Sequence, residues 1–137
     1  MVGGCGTIST SSPEPTPGDF QSIATELSKR GIVIDDIVSG DAGCEDRILV
    51  QTAIAFTASG LDQSQPGRLY LYIFRNREAF EWLRATVDAC AGSFVTDPET
   101  FETIEQSPYV MAAQGPWAAG FEASVREALQ VAAGTGD

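Results

Sequence analysis

The sequence predicts an α+β domain, a two-layer sandwich in which an antiparallel sheet of four or five strands carries helices packed on one face. Three observations predict it. Helix and strand periodicities follow one another in the order helix, three strands, helix, one or two strands, helix. The connections between the early strands are short, which antiparallel hairpins allow and parallel crossovers do not. The chain of 137 residues suits a single core, divided into a lead of residues 1–18 and one domain over residues 19–137.

The first helix is marked by Asp19, a capping residue behind Pro17-Gly18, by the stripe Phe20, Ile23, Ala24 and Leu27, and by the stop Lys29-Arg30-Gly31. Residues 32–39 read as a strand interrupted by Asp35-Asp36. Ile48, Val50, Thr52, Ile54 and Phe56 alternate as a second strand would, yet Leu49, Ala53 and Phe56 also suit a helix. Periodicity leaves both readings open there. Residues 60–67 are polar and turn-forming. The run over residues 69–74 then places Leu69, Leu71 and Ile73 on one side and Tyr70, Tyr72 and Phe74 on the other, which marks the central strand.

Asn76 is positioned to cap a helix running to about Ala91, with Phe80, Leu83, Val87 and Cys90 inward. Asp97-Pro98-Glu99 starts a short helical turn expected to extend through Ile104. Residues 109–113 form a strand, Gln114-Gly115-Pro116 turns the chain, and residues 117–119 are expected as a short return strand. A last helix carries Phe121, Val125, Ala128, Leu129 and Ala132 and stops at Gly134.

Composition excludes more than it assigns. There is no histidine, so Ser-His-Asp and Cys-His hydrolysis, imidazole acid–base work and histidine-ligated metals are ruled out. A formal charge of −11 disfavours nucleic acid and direct contact with anionic lipid and favours basic partners. No glycine pattern lies between a strand and a helix as a phosphate or dinucleotide cradle requires, and no cofactor is expected. Asp35, Asp36, Asp41, Glu45 and Asp46 crowd one region, but they lack the alternating order of a calcium loop. They read as a solvated acidic loop, and no metal site is expected.

Val2-Gly3-Gly4-Cys5 fits the processing site of a bacterial lipoprotein: a branched apolar residue, two small residues and a cysteine whose thiol receives the lipid. The basic and apolar regions of a signal peptide are then expected upstream of Met1. The alternative is an incidental cysteine in a disordered lead. Behind Cys5, residues 6–18 hold one large apolar residue, Ile8, too little to offset the entropy of ordering the segment. As a flexible tether its span is roughly 20 Å. With Cys5 set aside, Cys44 and Cys90 remain, an even number, and they are expected to pair. Neither spacing resembles a zinc knuckle or a redox Cys-x-x-Cys pair.

Trp82 lies off the inward stripe of its helix and Trp117 sits in a Gly-Pro turn, so either can serve as an exposed anchor, or both can seal the edge of the core. Arg75, Arg77 and Arg84 gather near the start of the same helix. They can receive a carboxylate from a ligand or pair with Glu78, Glu81 and Asp88. Trp82, Trp117, Arg75 and Arg77 are the candidate binding surface.

VGGC followed by STSSPEPTPG, together with RLYLYIFRNREAFEWL, resembles small secreted or lipid-anchored bacterial proteins of uncharacterised role. The resemblance implies location and carries over no active-site residue. The expected function is therefore a non-enzymatic binding or interaction role at the bacterial cell envelope. The domain would be extracytoplasmic, held at the membrane by lipid on Cys5, with an envelope protein as partner. The alternatives are a secreted inhibitor of an extracellular enzyme and a carboxylate-dependent hydrolase. A protruding ordered loop near residues 60–67 would mark the first, and two carboxylates across a cleft the second.

Overall fold

A computed structural model describes the backbone of residues 17–136 and the side chains of residues 20–136; Cys5, its processing site and residues 6–16 of the expected tether lie outside the described residues. The elements in chain order are α1 (Pro17–Lys29), β1 (Val33–Ser39), α2 (Arg47–Thr52), β2 (Ala53–Gly60), β3 (Gln63–Ile73), α3 (Arg77–Ala91), a 3-10 turn (Pro98–Thr100), β4 (Phe101–Gln106), β5 (Tyr109–Gln114) and α4 (Ala119–Ala133).

The five strands form one antiparallel sheet in the order β1-β2-β3-β5-β4, so the α+β class and the strand number are as the sequence predicts. Residues 69–74 supply most of the paired part of β3, which is the middle strand. Leu71 stands opposite Ile54 of β2 and Met111 of β5. Alternation then sorts side chains between two faces. Ile54, Phe56, Leu69, Leu71, Ile73, Ile104 and Met111 meet Ile23 and Leu27 of α1 and Phe121, Val125 and Leu129 of α4. On the reverse face, Ala53, Tyr72, Phe74, Val110 and Ala112 meet Leu49 of α2 and Leu83, Val87 and Cys90 of α3.

The helical cover thus extends to both faces rather than one. The physical reason is that Tyr72 and Phe74 present large rings for burial on the second face as Leu71 and Ile73 present aliphatic side chains on the first. A sheet with two apolar faces requires two layers of cover. Full burial of each such large side chain stabilises the fold by about 1.5–3 kcal/mol.

One local assignment that the sequence leaves open is decided, and three others differ from the sequence reading. Residues 47–52 are helical and the strand begins only at Ala53: the carboxylate of Asp46 accepts from the backbone N–H of Ile48 and of Leu49, which favours a helix start there. Residues 63–67 belong to β3, because Gly60 at φ 126° and Leu61 at φ 56° close a tight hairpin. The helical turn after Asp97 ends at Thr100, and Phe101–Gln106 pairs with β5 instead. Residues 117–118 lead directly into α4 without forming a return strand.

Edge strand β1 is exposed over nearly its whole length. Its register slips between Asp35 and Val38, where Asp36 adopts φ 50°. Arg68 of β3 reaches beneath the slip and donates to the carbonyl oxygen of Asp36 at 2.7 Å.

Candidate functional site

Cys44 and Cys90 are joined by a disulfide, with Cα atoms 5.4 Å apart. Cys44 lies two residues before the cap of α2, and Cys90 lies in the last turn of α3. The bond therefore ties the loop that leads into α2 to α3. Tyr72, fully buried, supports the same loop by donating its hydroxyl to the carbonyl oxygen of Ala42 at 2.8 Å. Burial, then the negative charge that Tyr70 and Asp41 can carry, pushes the Tyr72 hydroxyl well above the usual phenol range, so it remains a donor. Gly43, at φ 79°, permits a close approach that a Cβ would block: the added carbon would stand 2.6 Å from the ring of Phe94.

The loop and the disulfide hold α2 beside the first half of α3, and an open groove of about 820 Å³ lies there. Asn76 positions its second wall by accepting from the backbone N–H of Ala79 at 2.8 Å as the cap of α3. Phe74 and Leu83 form a buried apolar floor. Ile48 stands on one rim, 48% exposed, and Trp82 on the other, 75% exposed. An indole so exposed does not belong to the core, and it stands over the apolar floor of the groove.

Charge on the rim comes from Arg75, Glu78 and Glu81. The side chains of these three make no hydrogen bond or ion pair among the described residues. Of the expected pairings of the arginines with the acids of α3, the one at Arg84 is seen among the described residues. Arg84 bonds Asp88 at 2.9 Å and Glu105 of β4 at 2.6 Å. Burial works against the Arg84 charge, but the bonds to Glu105 and Asp88 outweigh it and hold its pKa above the ordinary value.

Of the four candidate surface residues, the structure brings Trp82 and Arg75 together in this groove. Trp117 is elsewhere: it is buried, with its ring edge-on to Phe121 at 5.8 Å and its backbone N–H donating to Glu102. Arg77 is directed away from the groove and donates to the carbonyl oxygen of Thr135 at 2.9 Å, tying α3 to the end of α4. Ile48 and Gln51 complete the groove and were not legible as site residues, because residues 48–56 fit a strand pattern. Asp46 directly ahead of an apolar run was the signal that could have found them.

The acidic region serves local structure. Asp35 accepts from the backbone N–H of Asp36, Asp41 from that of Gly43, and Asp46 caps α2. Among the described residues no group of three or more His, Cys, Asp and Glu is placed to hold a metal ion. No helix of the described residues is long and apolar enough to cross a membrane. Residues 60–67 form a closed hairpin and the start of β3. No protein-family model, curated protein or solved structure matches the chain.

Proposed function

We propose that this chain is a lipid-anchored extracytoplasmic domain with a non-enzymatic binding role at the bacterial cell envelope, and that the α2–α3 groove is where it binds. The observation that carries the binding reading is the exposed Trp82 standing over an apolar floor of Phe74 and Leu83. Concave, mostly apolar sites with a few polar rim groups are the usual form of ligand and partner pockets, and tryptophan is enriched among the residues that dominate interfaces.

The location reading is supported by the Cys44–Cys90 bond, since such bonds persist mainly in oxidising compartments, and by the Val2-Gly3-Gly4-Cys5 processing motif. A tether ending at α1 would join the layer formed by α1 and α4, whereas the groove belongs to the layer on the other side of the sheet. The attached side and the binding side of the domain are then distinct, and a bound partner does not compete with the tether.

One experiment tests both parts. The native gene is expressed in a bacterial host, with p-benzoylphenylalanine replacing Trp82 in one strain and Thr25, on the opposite layer, in another. Cells are labelled with radioactive palmitate and irradiated. Label that disappears in Cys5→Ser, and a cross-linked product that forms from position 82 and not from position 25, are expected. Absence of palmitate label in the wild type overturns the anchor, and equal cross-linking from both positions overturns the groove.

A further inference from the structure

Resting on the reading of the α2–α3 groove as the binding site, we infer that its occupant is a protein segment in which a large apolar side chain stands beside Lys or Arg. The floor of Phe74 and Leu83 and the rims of Ile48 and Trp82 provide the apolar half of that recognition. The charged half lies on the outer face of α3. Glu78 is four residues before Trp82, and side chains at that spacing are neighbours on a helix surface. Glu81 adjoins the same tryptophan in sequence and lines the same groove. The exposed indole and two carboxylates that make no ion pair among the described residues line one groove, so a cation seated there can meet both a π face and negative charge.

No cation of this chain fills that position among the described residues. Arg75 is the single basic residue that lines the groove, and two acids oppose it. The surrounding molecule strengthens the same preference, with 19 acidic against 8 basic residues. A field of that sign attracts basic segments and repels anionic lipid and nucleic acid. It also repels a second copy of the chain, whose own exposed apolar residues Val33, Ile37 and Val38 flank Asp35 and Asp36. A basic segment of a different protein is the occupant that satisfies both the apolar floor and the charge.

Matched acetylated peptides test this, each with a central Phe-Leu pair flanked by Lys, by Gln or by Glu. The readout is the indole N–H resonance of Trp82, assigned by its loss in Trp82→Ala. The Lys peptide is expected to bind about ten-fold more tightly than the Glu peptide, with affinity that falls as salt is added. In Glu78→Gln/Glu81→Gln, whose changes are on exposed positions, the preference is expected to shrink to about two-fold. Equal affinity for the Lys and Glu peptides overturns the inferred cation and leaves the groove standing. No shift of the Trp82 resonance with any peptide at about 1 mM, a weak limit for recognition, overturns both.

Discussion

The carboxylate of Asp62 stands 2.8 Å from the backbone nitrogen of Phe121, and so the β2–β3 hairpin caps helix α4 across the domain. The cap residue of α4 is Ala118, which has no side-chain acceptor of its own. Asp62 also accepts from Gly120 at 2.8 Å, and Gln63 accepts from Ala118 at 2.8 Å. The backbone N–H of Gly120 first, then that of Phe121, holds the Asp62 carboxyl below the usual carboxylate range, against the opposing effect of desolvation. A carboxylate whose folded pKa is lowered contributes stability that is complete above its unfolded value and is lost as pH falls through the folded one. Asp62→Asn is therefore expected to flatten the decline of thermal stability below about pH 4, measured by circular dichroism melting from pH 7 to pH 2. Gly120→Ala is expected to lower the melting temperature at pH 7, because its Cβ would stand 2.9 Å from a carboxylate oxygen of Asp62 and displace both bonds.

The two tryptophans separate a surface from a core. Trp82→Ala is expected to change stability by less than about 0.5 kcal/mol, as exposed substitutions usually do. Trp117→Ala removes a ring packed against Phe121 and is expected to cost about 3–5 kcal/mol. Urea unfolding of the two variants checks the contrast, and acrylamide should quench Trp82 far more strongly than Trp117.

The Cys44–Cys90 bond closes a sequence separation of 46 residues. Restricting the unfolded chain over that length is worth about 4 kcal/mol on the chain-entropy account. Cys44→Ala/Cys90→Ala is expected to lose about that amount in urea unfolding. It also frees the lead-in to α2, so amides of residues 41–52 should exchange with solvent hydrogen faster in the variant than those of β3.

Tyr72→Phe removes the donor to Ala42 and leaves a buried carbonyl oxygen short of a partner, with an expected cost of about 1–3 kcal/mol. Because burial raises the folded pKa of this phenol, its contribution is complete below the ordinary value of 10.0 and is lost as pH rises through the folded one. The wild type should therefore lose stability with rising pH above about pH 10 more steeply than the variant. Alkaline denaturation followed by far-ultraviolet circular dichroism measures the difference.

Sequence reasoning located what short-range periodicity determines. Asn76, Leu83, Val87 and Cys90 define α3 without reference to anything else, and the alternation of residues 69–74 identifies the central strand. The cysteine pair followed from the count once Cys5 was set aside as the lipid-bearing residue. It faltered where two periods overlap: in residues 47–56 the same apolar residues satisfy both spacings, and the Asp46 cap decides. Phe101–Gln106 was missed as a strand because it is an edge strand with Ile104 as its only fully buried side chain, so β5 pairing rather than pattern places it. For Trp82 the sequence left an exposed anchor and a core seal both open, and the side chain is exposed. Trp117 was not legible as buried, since α4 has to be in place before the turn has anything to pack against.

The slipped register of β1 bears on whether copies of this protein can join edge to edge. An open sheet edge invites strands of neighbouring molecules, yet two such edges meeting head to tail around residues 35–36 would stack Asp35 against Asp36 of the other chain, and the kink at Asp36 interrupts the ladder besides. Copies brought side by side are therefore expected to stay individually folded rather than zip into fibres; Asp35→Asn/Asp36→Val, which removes both charges and disfavours the positive φ at position 36, is expected to begin to polymerise.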